Sequence, residues 1–398
     1  MDFTKIPIKH RNISIVALNA VSTLAQIGQY GLGTTLLPIA LVANGATPAQ
    51  IGVTTSAFWL GTLIGILISG HLIRMLGYRN TVIVGLVVSA LSFILMPLMN
   101  WQWWSLPATA IGIGLGLRWI ANETWLYRLA PPHARGRIIG IHETLISIAA
   151  ISAPLIIVGV GATKSIAFLI ASTVVLLAIF PLFAAATIPA SENSKVVLTS
   201  ARNSFNFNQY INQSLTYLMG FGALMAGLGG WMEGSLLAFI PMYSADVGIE
   251  TRDVAWLLTI LGVGSMTCQI AIGWLADNKG VLWTSTLTAI AASAAVLIAI
   301  IFGKSFLSLA IVMFILGGVA GALLTLGIFW ATLENSGESL SRRVRQVSIV
   351  YTTLSAAGPF VAGFIVSQTS SASLFWQLLA VIAVIIKVLL KQSEETQV

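Results

Sequence analysis

Long runs of apolar residues follow one another along most of this chain, separated by short polar breaks. A run of about 20 apolar residues is long enough to cross the hydrocarbon core of a bilayer as an α-helix. Twelve such runs can be counted, at 13–43, 51–73, 81–99, 105–127, 138–160, 165–187, 212–243, 254–277, 283–303, 306–333, 346–368 and 374–391. The pattern predicts an all-α membrane protein with twelve transmembrane helices.

Glycine and proline recur with the same spacing in both halves of the chain. One set recurs 203 positions later: Gly31, Pro38, Gly45, Gly70 and Gly77 as Gly234, Pro241, Gly248, Gly273 and Gly280. A second set recurs 205 positions later: Gly112, Gly116 and Pro154 as Gly317, Gly321 and Pro359. Duplicated bundles with an even number of spans are parallel-related, which is typical of secondary transporters. We predict six-helix bundles at 1–187 and 212–398, joined by a cytoplasmic linker at the polar segment 188–211.

Composition and charge placement agree with a membrane protein and predict its orientation. Hydrophobic residues make up 57% of the chain and charged residues 8%, against about 25% charged in an ordinary soluble domain. The net charge of +7 does not indicate a nucleic-acid partner, because sixteen of the twenty Lys and Arg fall on the cytoplasmic side if the N-terminus does. The positive-inside rule then predicts that both termini are cytoplasmic. We expect a monomer in the lipid bilayer of the cytoplasmic (inner) membrane.

The remaining composition adds little chemistry. Cys268 is the single cysteine, so an intrachain disulfide is excluded. The sequence has no clustered metal ligands and no Gly-x-x-x-x-Gly-Lys-Ser/Thr nucleotide loop. We therefore expect no metal, no cofactor, no direct ATP drive and no enzymatic activity. Trp101, Trp103 and Trp104 lie in a short outer loop, where we predict that they anchor the protein at the membrane interface.

Four ionisable residues lie well inside predicted spans: Arg118, Glu123, Glu143 and Glu233. Each costs at least about 2.5–3.5 kcal/mol at the membrane centre, so each requires a partner or a water-filled cavity. At about 1.5 Å per residue, Arg118 and Glu233 lie roughly 14–15 Å from the nearer span end, close to the midplane. We interpret the four residues as candidates for substrate binding or proton coupling. His142, beside Glu143, fits either a proton relay or a structural role.

Polar and aromatic side chains mark candidate cavity walls. The first span carries a stripe on one helical face: Asn19, Ser22, Thr23, Gln26, Gln29 and Tyr30. Such a stripe lines a cavity or joins helices, since it does not face lipid. Three tryptophans, Trp119, Trp231 and Trp330, line the same cavity or serve in packing. The seventh span is rich in glycine, which suits either a gating helix or close packing.

Two loop segments carry a related motif. The chain reads GHLIRMLGYR at 70–79, after the second span, and GWLADNKG at 273–280, after the eighth. Both resemble the loop signature of the major facilitator superfamily, Gly-x-Leu-x-Asp-x-x-Gly followed by basic residues. The first copy departs from it, with Arg74 in the position of the acid. Together with twelve spans, the resemblance implies the major facilitator fold, in which the first, fourth, seventh and tenth helices line a central cavity.

The same resemblance implies a cytoplasmic gate in which Asp277 pairs with Arg135 or Arg137. Its candidate residues are Gly70, Arg74, Gly77, Arg79, Arg135, Arg137, Gly273, Asp277 and Gly280. A matching contact would join Arg74 to Glu334 or Glu338.

Other residues narrow the resemblance and bear on direction. Gly112, Gly114, Trp119 and Glu123, together with Arg135-Gly136-Arg137, resemble the YcaD-like group of facilitator transporters, which does not define a substrate. Gly358-Pro359 with Gly363 resembles the Gly-Pro pattern of drug antiporters, and Ser152-Ala153-Pro154 with Gly159 resembles a degraded form of it. Both favour efflux over uptake. We predict a proton-coupled secondary transporter that moves a small molecule by alternating access. The alternative is a membrane sensor or assembly protein that keeps the fold without transporting.

Overall fold

The computed structural model describes residues 7–131, 134–161, 165–186, 220–333 and 340–397. All regular secondary structure within these ranges is helical. The prediction of an all-α membrane protein is therefore confirmed. The polar linker predicted at 188–211 lies outside the described residues.

The helices follow the predicted spans in order. Helix α1 comprises Ile8–Ala25, the π-helical segment Gln26–Leu32 and Gly33–Ala43. Helices α2 and α3 lie within Pro48–Leu95 and meet at Gly77. The next three are α4 Ser105–Leu129, α5 Arg135–Val160 and α6 Ser165–Leu177, the last followed by a 3₁₀ turn at Phe180–Ala184. The last six are α7 Phe221–Asp246, α8 Thr251–Lys279, α9 Val281–Phe302, α10 Phe306–Leu333, α11 Leu340–Gln368 and α12 Ser373–Gln397.

Helix α1 widens into a π-helix over two turns in the middle of its polar stripe, at Gln26–Leu32. Its glycines face neighbouring helices closely: a Cβ on Gly28 would meet Val175 of α6, and one on Gly31 would meet Ala153 of α5. Short π-helical segments inside α-helices are frequent at functional sites. The sequence pattern did not predict this widening, because the apolar and polar positions on either side keep ordinary helical spacing.

The break between the second and third spans is narrower than predicted. The structure is helical throughout Pro48–Leu95 except at Gly77, whose φ is 79° and ψ is 168°. The expected loop at 74–80 is therefore wrong. Gly280 has the corresponding φ of 87° between α8 and α9. Because an L-residue is strained at such φ values, glycine permits the turn without a loop.

The duplication seen in the sequence is also present in the packing. The positive-φ glycines Gly45 and Gly248 are 203 positions apart, as are Gly77 and Gly280. A Cβ on Gly61 would meet the carbonyl oxygen of Thr109, and one on Gly264 would meet that of Phe314. These two contacts join α2 to α4 and α8 to α10, so equivalent helices pack through equivalent glycines.

The chain divides into two compact units. The first takes the described parts of Met1–Gly33, Leu60–Ala153 and Lys164–Gln213, and the second those of Thr34–Trp59, Pro154–Thr163 and Ser214–Val398. The units thus differ from contiguous halves at 1–187 and 212–398, because segments of α1, α2 and α5 pack with the C-terminal helices. The division of the chain into two duplicated halves stays a prediction.

Nine helices of the described ranges are long and apolar enough to cross a membrane, with α2 and α3 counted together. Helices α1 and α4 are not among these nine. The π-helical segment divides α1, and α4 carries Arg118, Asn122 and Glu123 among its apolar residues. In the turn between α3 and α4, Trp103 is exposed but Trp104 is buried, with its indole nitrogen donating to the carbonyl of Met96 at 2.8 Å. The interfacial role predicted for Trp104 is therefore wrong.

Candidate functional site

A buried arginine lies at the centre of the first unit's polar site. Arg118 of α4 is only 2% exposed. Its Nε donates to Oε1 of Gln29 at 3.0 Å, and its Nη2 donates to Oε1 of Gln26 at 3.1 Å. Both glutamines belong to the π-helical segment of α1. The unusual helical turn therefore presents two amide oxygens to one guanidinium.

The amide of Gln29 is held in one orientation by α3. Its Nε2 donates to Oγ of Ser89 at 2.7 Å and to the carbonyl of Gly85 at 3.3 Å. The amide oxygen is thereby turned towards Arg118. Helices α1, α3 and α4 thus share one fully buried hydrogen-bond network, which fixes the guanidinium in place.

The acceptors of Arg118 are neutral, so its charge is not offset by them. Among the described residues of the first unit, no carboxylate lies within ion-pair distance of this guanidinium. A guanidinium has five N–H donors in a planar fork that matches a carboxylate or phosphate. The arrangement is therefore suited to an anionic group.

A second contact joins α1 to α4 nearer the inner half of the predicted spans. The buried amide of Asn122 donates through Nδ2 to Oγ of Ser22 at 2.7 Å and to the carbonyl of Leu18 at 3.0 Å. Asn122 lies one helical turn from Arg118. The polar stripe of α1 is therefore bonded to α4 at successive turns.

A third contact brings α5 to the same stripe. His142 is buried, and its Nδ1 lies 3.0 Å from Oδ1 of Asn19. Its Nε2 lies 3.8 Å from Oε1 of Glu123 on α4. The same carboxylate oxygen accepts a hydrogen bond from the indole N–H of Trp119. Asn19, Glu123 and His142 therefore meet from three different helices.

Glu143 lies beside this group. The hydroxyl of Tyr127 on α4 donates to Oε1 of Glu143 at 3.4 Å. The ring of Tyr127 also stands edge-on to the imidazole of His142, with centroids 6.1 Å apart. Glu143 itself is exposed within the described chain. It thus lies at the edge of the cluster formed by Asn19, Glu123 and His142.

In the second unit, Glu233 of α7 is half-buried and accepts a hydrogen bond from the hydroxyl of Tyr351 on α11. Trp59 packs against the same tyrosine, edge to face, with ring centroids 6.4 Å apart. A tyrosine hydroxyl can donate to an ionised carboxylate or accept from a protonated one. Tyr351 can therefore bond to Glu233 in either protonation state of the carboxyl group.

The glycines of α7 face α11 closely. A Cβ on Gly227 would meet Leu354, one on Gly230 would meet Ser355 and Tyr351, and one on Gly234 would meet the carbonyl of Ser355. Of the two interpretations of this glycine-rich helix, close packing is therefore observed directly. Gating by α7 stays a prediction.

The other predicted cavity residues have mixed surroundings. Thr23 is half-buried and bonds to the carbonyl of Asn19, one turn earlier in α1. Tyr30 and Trp231 are half-buried. Trp330 packs against Phe221 and Leu326, and its indole N–H faces Oγ of Ser285 at 3.3 Å. A cavity-lining role stays a prediction for these residues.

The predicted gate residues are mostly exposed. Arg74, Arg137 and Asp277 are exposed, and Arg79 donates to the carbonyl of Ala185 at 2.6 Å. The side chain of Arg135 lies outside the described residues, as do Glu334 and Glu338. The proposed pairing of Asp277 with Arg135 or Arg137 stays a prediction. So does the contact proposed for Arg74.

Several site residues were missed or undervalued by the sequence pattern. Gln29 and Asn19 belonged to the predicted stripe, but their partners on α4 and α5 depend on the helix rotation, which the sequence does not give. Tyr351 and Ser89 carried no signal, because single hydroxyl residues in apolar spans are common. In the described ranges, no group of three or more His, Cys, Asp or Glu is placed to hold a metal ion.

Comparison with known proteins identifies the family. The sequence profile of the Major Facilitator Superfamily matches residues 18–233, more than half of the chain. The chain belongs to the Major Facilitator Superfamily. As a member of this superfamily it is a multi-pass membrane protein, and membership supports a transport role rather than an enzymatic one.

Relatives cover nearly the whole chain. The MFS-type transporter YfkF of Bacillus subtilis, described as uncharacterised, is 25% identical over 91% of this chain and 90% of its own length. The uncharacterised MFS-type transporter YcaD of Escherichia fergusonii is 23% identical over 91% of both chains. The expected resemblance to the YcaD-like group is therefore confirmed.

Solved structures share the superfamily fold. A mutant of the nucleoside transporter NupG aligns with a TM-score of 0.79 at 12% identity, over 95% of this chain and 99% of that one. The xylose transporter XylE from E. coli, in a partially occluded inward-open conformation, aligns with a TM-score of 0.68 at 14% identity, over 95% and 99%. At this level of identity the similarity establishes the fold and leaves the substrate open.

Proposed function

We propose that the protein is a proton-coupled secondary transporter that moves a small molecule across the cytoplasmic membrane by alternating access. The observation that carries this proposal is the retention of hydrogen-bonded ionisable groups inside spans of both units. In the first unit these are Arg118 and Glu123, and in the second Glu233. Ionisable groups in transmembrane helices are costly and mark substrate or proton pathways by default.

Arg118 is the proposed anchor for an acidic group of the substrate. Its neutral glutamine partners orient the guanidinium without neutralising it. The other proposed role is to pair with Glu233, which would make Arg118 part of the coupling machinery. The planar fork of N–H donors that a guanidinium presents to a carboxylate or phosphate supports the anchor.

Export is the proposed direction. The support is the Gly358-Pro359 pattern of α11, which resembles that of drug antiporters and packs closely on α7. A Cβ on Gly358 would meet the carbonyl of Trp231, and Gly234 lies against Pro359. The cytoplasmic membrane is the proposed location, with both termini on the cytoplasmic side.

Alternating access can be tested without a known substrate. Thr23→Cys, in a Cys268→Ser background, is labelled with a membrane-impermeant maleimide in right-side-out and in inverted vesicles. A transporter exposes this position to both sides in turn, and an imposed pH gradient should change the ratio of labelling. In Glu233→Gln, labelling from both sides should persist while its dependence on the gradient is lost, because the amide does not titrate.

The exposed acid Glu250 provides the control, since Glu250→Gln should keep the gradient dependence. Labelling from one side under every gradient would favour the alternative, a sensor or assembly protein that keeps the fold without transporting. Unchanged gradient dependence in Glu233→Gln would remove Glu233 from the coupling mechanism.

A further inference from the structure

The buried ring of His142 has a tautomer fixed by its surroundings. The amide nitrogen of Asn19 donates to the carbonyl of Ile15 at 2.9 Å, so Oδ1 of Asn19 is the atom turned towards His142. An amide oxygen only accepts hydrogen bonds, and therefore Nδ1 of His142 must carry the proton. The neutral ring then has its lone pair on Nε2.

The lone pair on Nε2 faces a second acceptor. Oε1 of Glu123 lies 3.8 Å away, and the side chain of His142 is 1% exposed. With neutral His142 and ionised Glu123, a carboxylate oxygen and a nitrogen lone pair confront each other with almost no water to separate them. Buried polar atoms without a donor are costly. Oε1 already accepts from the indole N–H of Trp119, so Nε2 is the atom left without a donor. One additional proton between Nε2 and Oε1 removes this conflict.

The geometry points to Glu123 and His142 as a two-residue proton-binding site, oriented by Asn19, that holds a transport-coupled proton in the first unit, in addition to the one proposed for Glu233 in the second. This inference rests on the proposed proton-coupled function and names the groups that carry the proton. The proton leaves Nε2 of the imidazolium and binds Oε1 of Glu123, which gives a neutral imidazole and a neutral carboxylic acid. The total of one bound proton is unchanged by this step.

Access to the site is through Glu123. Its side chain is 21% exposed, whereas that of His142 is buried, so the carboxylate is the member that exchanges protons with water. The other titratable groups around His142 are Tyr127 on α4 and Glu143 on its own helix. Helix α1 contributes the neutral amide of Asn19.

Proton binding at this site would act on three helices. The distance of 3.8 Å between Nε2 and Oε1 must shorten by several tenths of an ångström to reach hydrogen-bond length. A bound proton therefore draws α4 and α5 together, while Nδ1 keeps α5 attached to α1 through Asn19. Loss of the proton releases the contact between α4 and α5. Proton occupancy is thus coupled to the packing of α4, which carries Arg118, against α5.

The test is ¹⁵N NMR of histidine-labelled full-length protein in lipid nanodiscs, with the His142 signals assigned by their loss in His142→Gln. At high pH the neutral ring should carry its proton on Nδ1. On acidification the ring should become doubly protonated while it keeps the proton on Nδ1. His71, which is exposed, should instead show the mixture of tautomers expected of a solvated ring.

Two variants separate the site from general packing. Asn19→Ala should lower the ratio of Nδ1–H to Nε2–H tautomer at His142 by about fivefold, the factor that corresponds to one ordinary hydrogen bond. Asn122→Ala removes an equally buried amide contact between α1 and α4 and should leave that ratio unchanged. In Glu123→Gln, the amide N–H₂ can donate to Nε2 in place of the additional proton, so the doubly protonated ring should be lost.

A neutral ring protonated on Nε2 would overturn the inference, as would a His142 signal that does not change with pH. An equal effect of Asn19→Ala and Asn122→Ala would reduce Asn19 to a packing role and would also contradict it. These readouts are independent of transport. If maleimide labelling alternates between sides but the His142 signal does not change with pH, the proposed transport function is supported and this proton site is excluded.

Discussion

In the first unit, the sequence alone identifies the costly ionisable side chains inside the spans, but it does not identify their hydrogen-bond partners. Arg118 and Glu123 could be selected from the sequence because a charge in hydrocarbon is costly wherever it lies. His142 could not be ranked, because its role depends on Asn19 lying 123 positions earlier and on the rotation of α1 against α5. The predicted polar stripe is the face of α1 that bonds to α4 and α5. The sequence did not show which residue of the stripe meets which partner.

The bond between Arg118 and Gln29 should be measurable by a double-mutant cycle. Arg118→Met and Gln29→Leu each remove one side of the contact with little change in volume. We expect a coupling free energy of about 1.5–3 kcal/mol, the range for hydrogen bonds to charged groups. The measurement is the free energy of unfolding in detergent micelles for the wild type, both single variants and the double variant.

Gln377 gives the matched control for this cycle. It is a buried glutamine of α12 in the second unit, where its amide faces the carbonyl of Gly358. Arg118→Met combined with Gln377→Leu should be additive within about 0.3–0.5 kcal/mol, as is usual for residues without shared partners. A coupling between Arg118 and Gln29 no larger than this would mean that their hydrogen bond contributes nothing to stability.

At the level of helices, hydropathy predicted the spans well and their irregularities poorly. Whether a segment spans the membrane depends on the summed hydrophobicity of about 20 residues, so one polar residue changes the prediction little. The π-helical segment of α1 and the single-residue break at Gly77 depend instead on local backbone geometry. A glycine is necessary for the break but is common elsewhere in these spans, so its presence did not indicate how short the break would be.

Two glycines test whether the duplicated helices share their packing. Gly61→Ala would drive a Cβ into the carbonyl of Thr109, and Gly264→Ala would do the same at Phe314. We expect each substitution to lower the free energy of unfolding by about 2 kcal/mol, because overpacking against backbone costs about 3 kcal/mol at the upper end of its range and the better helix propensity of alanine returns up to about 1 kcal/mol. Thermal and chemical unfolding in detergent would measure both.

Gly140 is the control for this pair, since nothing lies within 4 Å of a Cβ placed there. Gly140→Ala should therefore be neutral or stabilising by up to about 1 kcal/mol. If Gly61→Ala destabilises the protein while Gly264→Ala behaves like Gly140→Ala, the two helix pairs do not pack in equivalent ways.

At the scale of the whole chain, the sequence repeat and the structure describe the same duplication by independent means. Equal spacing of glycines at 203 positions is a statement about the sequence, whereas the similar φ values of 73° at Gly45 and 81° at Gly248 concern the backbone. Their agreement follows because a turn that requires positive φ tolerates few residues besides glycine. Side-chain chemistry is less symmetric: Arg118, Glu123 and His142 belong to the first unit, and Glu233 with Tyr351 to the second. Function therefore had to be read from the differences between the repeats.

Orientation in the membrane is the remaining whole-chain property that the sequence predicts. Sixteen of twenty basic residues lie on one side of the predicted spans, and basic loops are retained on the cytoplasmic side during insertion. Alkaline phosphatase, which is active only outside the cytoplasm, should therefore be active when fused after Trp103, in the exposed turn between α3 and α4. The same enzyme fused after Asp277 should be inactive, and a fluorescent protein fused after Val398 should fluoresce. The opposite pattern in all three fusions would invert the topology, and the proposed cytoplasmic pairing of Asp277 with Arg135 or Arg137 would then lie on the wrong side of the membrane.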